Sequence, residues 1–257
     1  MGNDSSVRQE ARSLGPVPQE SVLVAKRTGA PRKPSYAELP EPWRDRDEPG
    51  SRGYLIAKRV LDVVGAAIGL VLLAPIMLAI GVAIKLDSPG PILYSERRHG
   101  RYGRPFVMYK LRSMVVGAEA FIQELSNEVD GPMFKMRYDP RVTRVGRFLR
   151  RTNMDELPQL WNVLKGDMTL VGPRPLAMEE MRGHRRWRGT RLTVEQGLTG
   201  LWQVEAQSKF SFSEWIRHDI SYVRNRTLWL DLKILLKTLV LPFRRRAKSP
   251  ARLPSDE

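Results

Sequence analysis

Apolar and polar residues follow three regimes along the chain. From residue 1 to about 52 no apolar period is sustained. Gly15-Pro16, Gly29, Pro31, Pro34, Pro40 and Pro42 interrupt dispersed charges. Such a segment predicts a disordered tail over 1–52. It has no apolar stretch near its start, so it does not read as a secretory signal. The pattern then changes abruptly. Val63 to Ile84 carries no charge, a run of about 22 residues that as a helix would reach roughly 33 Å, against about 30 Å of hydrocarbon in a bilayer. Pro75 sits in its middle, where it removes a backbone donor and costs about 3 kcal/mol in a regular helix. Basic residues flank both ends, Lys58-Arg59 and Lys85, whereas a spanning helix carries its positive charge on one side. Hydropathy alone leaves a spanning helix and a re-entrant one equally open.

Beyond this segment the periods are those of a mixed domain. Pro91–Tyr94 and Phe106–Tyr109 read as short strands, and the turn-rich His99–Pro105 between them predicts a hairpin. Ala118 to about Glu128 reads as a helix. So does Asp155–Lys165, where Leu157, Leu160, Trp161 and Leu164 fall on one face and Gly166 marks the stop. Further on, Leu228, Leu232, Leu235, Leu236 and Leu239 form a stripe with Lys233 and Lys237 off it. A helix packed on the core and a helix lying in a membrane interface both fit, the second favoured by Trp229 and Arg244-Arg245-Arg246. The last residues read as a free tail. The fold class expected is α+β, mostly helical. Its divisions are 1–52, a membrane helix over 53–86, a catalytic domain over 87–245 and a tail over 246–257.

Charge and composition narrow the chemistry. The 257 residues carry 43 Lys and Arg against 28 Asp and Glu, a net charge of +15, which calls for an anionic partner. The absence of cysteine excludes disulfides, thiol nucleophiles and cysteine zinc sites. His99, His184 and His218 have no metal-ligand spacing.

The densest chemical feature is Asp155-Glu156 at the start of its expected helix. Adjacent carboxylates repel, and a helix N-terminus or a divalent cation can hold them together. Mg²⁺ takes one or two carboxylates and completes its shell with water and phosphates. On their own the two acids read as an ordinary helix start. Their neighbours are basic, however. Arg141, Arg144, Arg147, Arg150 and Arg151 precede them, Lys110 and Arg112 end a predicted strand, and Arg174 stands between Pro173 and Pro175. Rigid guanidinium groups suit phosphates, and acids, a cation and bases together are the equipment of phosphoryl transfer. A solvated or lipid-facing basic surface accounts for part of this arginine run.

These residues fall into blocks: Lys58-Arg59-Val60-Leu61-Asp62; Lys110-Leu111-Arg112-Ser113-Met114; Asp155-Glu156-Leu157-Pro158-Gln159 running on to Met168; Gly172-Pro173-Arg174-Pro175; and Gly197-Leu198-Thr199-Gly200-Leu201-Trp202-Gln203-Val204. In this order and spacing they resemble the bacterial sugar transferases, monotopic phosphoglycosyl transferases that start exopolysaccharide and glycoconjugate synthesis. The resemblance covers about residues 54–243. It implies Asp155 as nucleophile and Glu156 as its partner carboxylate, both with Mg²⁺. It implies Lys110, Arg150 and Arg174 around the bound phosphate, with Arg112 inside the same signature. Pro75 then marks the break of a re-entrant helix that keeps the domain on the cytoplasmic face of the membrane. The implied substrates are a UDP-sugar and undecaprenyl phosphate.

This chain departs from the pattern at Ala74, Leu111 and Ser113. It also has Gln207 where many members carry Arg, with Lys209 close by. Larger relatives carry extra membrane helices ahead of this module, so the chain reads as the catalytic module alone. No nucleic-acid motif is present, and carboxylates amid the arginines would repel such a backbone. The rival readings are a basic membrane protein that binds nucleic acid and an inactive family member serving as scaffold. The sequence leaves sugar identity and oligomeric state unread.

Overall fold

The computed structural model describes residues 51–118, 139–177, 179–181, 184–205 and 212–247, the last seven by backbone only. The expected tails beyond residues 51–52 and 246–247, the Ala118–Glu128 helix beyond its first residue, Gln207 and Lys209 lie outside these residues, and Arg52 and residues 246–247 belong to helices.

One helix, α1, runs from Arg52 to Asp87. Ser51 starts it by accepting the Tyr54 N–H at 3.2 Å. Pro75 lies inside and does not end it. The helix is long and apolar enough to cross a membrane, and only 17% of its most apolar window is buried. It is therefore not the core helix of a soluble domain. Outward positions carry Val64, Ile68, Val71, Leu72, Leu78 and Val82.

The expected hairpin is present, longer than its apolar segments. Strand β1 (Leu93–His99) pairs antiparallel with β2 (Pro105–Leu111), Leu93 opposite Leu111. Helix α2 spans Arg144–Thr152 and is capped by Thr143, whose side chain accepts the Gly146 N–H. It ends at Asn153 in the left-handed region, a role Asn tolerates better than most residues.

The helix expected over Asp155–Lys165 is shorter. Met154–Glu156 form a separate 3-10 turn, and α3 covers only Gln159–Lys165. The cause is Pro158, which has no N–H to return to the Met154 carbonyl. The chain is closed instead by tighter bonds, from Leu157 N to Met154 O at 3.3 Å and from Leu160 N to Leu157 O at 3.1 Å. Gly166 ends α3 at φ 86, as its place in the sequence indicated.

A second, parallel pair joins β3 (Thr169–Val171) to β4 (Gly197–Thr199). At three residues each, these strands are too short to leave a readable period and are not among the expected elements. Helix α4 (Arg185–Arg191), α5 (Leu201–Glu205), α6 (Phe212–Asn225) and α7 (Leu228–Ala247) complete the order.

One core joins α1, β2, α3, β3, α6 and α7 through Ala66, Met108, Val163, Leu170, Tyr222 and Ile234. A second gathers Leu176, Trp187, Trp202 and Trp215. A third packs Ile80 and Ile84 of α1 on Leu111 and Leu149. Both halves of α1 thus lie against the same domain. The inner face of α7 carries Asp231 and Ile234, with Leu230 and Leu235 beside them. Of the leucine stripe read from the sequence, only Leu235 packs inward; Leu228, Leu232, Leu236 and Leu239 are exposed.

Candidate active site

Asp155 and Glu156 occupy the 3-10 turn between α2 and α3. Three side-chain arrangements fix that turn. Asn162 of α3 donates to the Val107 carbonyl at 2.6 Å and accepts the Tyr109 N–H at 3.1 Å, so β2 is held beside α3. Arg59 of α1 donates to the Val163 and Leu164 carbonyls at 2.8 and 2.9 Å. It satisfies the end of α3, where carbonyls lack helical partners. Arg150, in the last turn of α2, donates to Ser113 Oγ at 3.0 Å.

The crossing that delivers Arg174 is made of backbone. Gly172 N–H donates to the Thr199 carbonyl at 2.9 Å, and Gly197 N–H to the Pro173 carbonyl at 2.8 Å. A Cβ on Gly197 would stand 2.1 Å from the Gly172 nitrogen, and one on Gly200 would stand 2.2 Å from the Gly172 oxygen. No larger residue permits this approach. The Gly-Pro-Arg-Pro and Gly-Leu-Thr-Gly blocks are thus two sides of one joint. From it Arg174 Nη2 reaches Glu156 Oε1 at 2.7 Å.

Asp155 is different. Among the described residues its carboxylate makes no hydrogen bond or close ion pair. Burial first, and Glu156 second, push its carboxyl above the usual range, while Lys110, Arg174 and Arg150 pull it back. Lys110 is pushed below its usual range by burial and then by Arg174, with Glu96 and Glu156 opposing. The site therefore holds one uncommitted carboxylate, one carboxylate tied to Arg174, and three cations directed at them.

The structure brings together Asp155, Glu156, Lys110, Arg150 and Arg174. It does not bring Arg112, whose guanidinium is buried against the loop after α1 and donates to the Ser88 and Pro89 carbonyls. Sequence reasoning missed Glu96, Arg98 and Glu180. Lys110 Nζ lies 3.6 Å from Glu96 Oε2, and Arg98 bonds both Glu96 and Glu180. Glu180 also accepts the Ala177 N–H at 2.6 Å. The available signal was the alternation Glu96-x-Arg98 on β1, diagonal to Lys110 across the hairpin.

No group of three or more metal-ligating side chains occurs among the described residues. The donor set is two adjacent acids, which fits a hard cation that takes its remaining oxygens from water and phosphate and does not fit zinc.

Comparison with known proteins adds a separate line. The family model for bacterial sugar transferases matches residues 53–245. A galactosyl transferase, CpsE, of Streptococcus agalactiae is 43% identical over 189 residues, 72% of this chain and 42% of the relative. An undecaprenyl-phosphate galactose phosphotransferase of Salmonella typhimurium is 40% identical over 196 residues, 73% of this chain and 40% of the relative. A UDP-glucose:undecaprenyl-phosphate glucose-1-phosphate transferase of Caulobacter vibrioides is 43% identical over 198 residues, 72% of this chain and 68% of the relative. The matched part thus spans about two fifths of the length of the first two relatives.

Proposed function

Because the chain belongs to the bacterial sugar transferase family, we propose that it moves a sugar 1-phosphate from a UDP-sugar to undecaprenyl phosphate, as the first step in building an exopolysaccharide or glycoconjugate. The observation that carries the reading is the Asp155 carboxylate, without a hydrogen-bond partner among the described residues and faced by Lys110, Arg150 and Arg174.

In this mechanism the donor diphosphate lies against Arg174, Lys110 and Arg150, which hold its oxygens and take up charge as it develops. An oxygen of Asp155 attacks the phosphorus that bears the sugar. The bond from that phosphorus to the bridging oxygen breaks, and UMP leaves with the electron pair. A sugar-phosphoryl aspartate remains. A phosphate oxygen of the polyprenyl acceptor then attacks the same phosphorus, frees the Asp155 carboxylate and yields the polyprenyl diphosphate sugar. Two displacements at one residue let the enzyme handle its soluble and lipid substrates in turn. The raised proton affinity of Asp155 makes its carboxylate a better nucleophile once ionised. Mg²⁺, held by Asp155 and Glu156, would neutralise phosphate charge.

The membrane reading rests on α1. Ala66 and Ile84 both pack on the domain, about 27 Å apart along the helix. A helix crossing the bilayer would carry one of these contacts into or past the hydrocarbon. Both contacts favour a helix that stays on the domain's own side; a re-entrant course needs α1 to bend, for which Pro75 inside it is the residue, and the exposed leucines of α7 and Trp229 then lie in the interface. The domain then sits on the cytoplasmic face, where nucleotide sugars are.

The test is UMP release by the protein in nanodiscs with Mg²⁺, undecaprenyl phosphate and a panel of UDP-sugars. One donor should give lipid-dependent UMP. Asp155→Asn should lower that rate on the order of 10⁴-fold, the scale on which lost nucleophiles act. A folded protein that releases no UMP from any donor would overturn the proposal.

A further inference from the structure

Arg191, the last residue of α4, is wholly buried. A guanidinium taken out of water is costly unless its donors are met, and removing it alone would leave its buried partner Asp219 without a counter-charge. The donors of Arg191 are poorly met. Its Nε lies 3.5 Å from the Asp219 carboxylate. Among the described residues Nε and Nη1 make no hydrogen bond. The charge sits 4.5 Å from the centre of the Trp187 ring and 5.7 Å from that of Trp215. Both rings belong to the cluster of Leu176, Met181, Leu192 and Trp202, and the charges acting on Arg191 are Asp219, Glu180 and Arg174.

One bond ties this charge to the site. Arg191 Nη2 donates to the backbone carbonyl of Arg174. That residue stands between two prolines, which fix their own φ and offer no N–H. Its backbone is held on one side by Gly197 N–H on the Pro173 carbonyl and on the other by Arg191. With both carbonyls anchored, the Arg174 side chain leaves at a fixed angle and meets Glu156. Asp219, which also accepts the Trp187 indole N–H at 3.0 Å, keeps the guanidinium in place.

We propose that Arg191 is a positioning residue for the donor site: it aims Arg174 at the diphosphate by holding the Arg174 carbonyl, and so makes the tryptophan cluster the support of the phosphate clamp. This rests on the reading of Arg174 as a phosphate ligand.

The test is a double-mutant cycle of Arg191→Met and Arg174→Ala in the full chain in nanodiscs, read as kcat/KM for UMP release, UDP affinity and thermal midpoint. Arg191→Met should lower kcat/KM on the order of 10²-fold, the scale of a 1 Å misplacement, and weaken UDP binding. Its melting temperature should fall, because Asp219 is left buried without its counter-charge, so both constants are read per folded protein below the transition. In the Arg174→Ala background the same change should cost less than about threefold, because the residue it aims is gone. Equal losses in both backgrounds would overturn the proposal, as would a loss explained by a smaller folded fraction. Arg191→Lys, which keeps one donor in reach, should restore most of the loss. If Arg191→Met does not fold, the cycle run with Arg191→Lys decides: a full loss independent of Arg174 overturns the proposal. Coupled losses of UDP affinity without any UMP release would sustain the positioning role and reject the reaction. A wild-type chain that neither binds UDP nor releases UMP would reject both.

Discussion

Two charged clusters are built on the same scaffold, and their difference separates structure from chemistry. In the first, Lys58 of α1 and Asp231 of α7 meet at 3.1 Å with almost no exposure. Asp231 Oδ2 also accepts from the Tyr54 hydroxyl at 3.0 Å, and the Tyr222 hydroxyl lies 2.8 Å from Oδ1. Lys58 gives a further bond to the Val171 carbonyl at 3.0 Å. Beside it Asp62 accepts from Thr169 Oγ1 at 2.7 Å and Leu170 N–H at 2.9 Å. Every oxygen has a partner, so this cluster is a lock that fastens α1 to β3 and α7. In the second cluster Asp155 has cations around it and no hydrogen-bond partner among the described residues. The same residue types occur in both. The first is saturated, whereas the second has a group left to react.

The largest stability effect should therefore come from the lock. Asp231→Ala leaves Lys58 buried without its counter-charge, which costs about 3–5 kcal/mol. For a domain of this size the midpoint should fall by roughly 10 °C, measured by thermal melting in nanodiscs. Asp155→Asn, ruinous for turnover, should melt at or above the wild-type temperature. Burial and Glu156 already disfavour the Asp155 charge, and the amide removes that penalty. A stable Asp231→Ala or an unstable Asp155→Asn would erase the contrast.

Arg112 sharpens the comparison because the sequence assigns it to the second cluster and the structure gives it a third role. It stands two residues from Lys110 in one signature, but the loop after α1 takes its donors. Arg112→Met should cost about 2 kcal/mol through the lost charged hydrogen bonds, with the donor KM unchanged. A raised KM with an unchanged melting curve would return Arg112 to the phosphate site.

What the sequence made legible follows from the range over which each signal acts. The apolar run of α1, the hairpin and the stop at Gly166 are local, and the structure has all three. The Asp155–Glu156 pair, alone an ordinary helix start, drew attention through the basic residues on either side of it. Lys58 and Asp62 were legible as a motif and not as a lock, because their partners Asp231 and Thr169 stand more than a hundred positions away. The β3–β4 pair was missed for the same reason: three residues each, joined by glycines whose contact is made only after folding. On α7 the leucine stripe left core and membrane interface both open, and in the structure all of it but Leu235 faces outward. A helix apolar on both sides has no moment to read, and the single Asp231, buried by the lock, decides its orientation.

The smallest effect tests a carboxylate between the two extremes. Asp139 accepts from the Arg141 backbone N–H at 3.0 Å, from Nε at 2.9 Å and from Nη2 at 2.8 Å. It lies 3.9 Å from Arg150, which it shares with the active site. Burial pushes its carboxyl up, but the Arg141 bonds and charge outweigh burial and hold it below the usual carboxylate range. A depressed carboxyl stabilises the fold fully above its unfolded value, near 3.9, and loses that contribution as pH falls through its folded value. Wild type should therefore exceed Asp139→Asn by about 1 kcal/mol at pH 6, and the gap should close below about pH 4. Denaturant titrations of both proteins between pH 6 and 3 measure it. A gap that persists to pH 3 would mean that packing at residue 139, and not its charge, holds the start of α2.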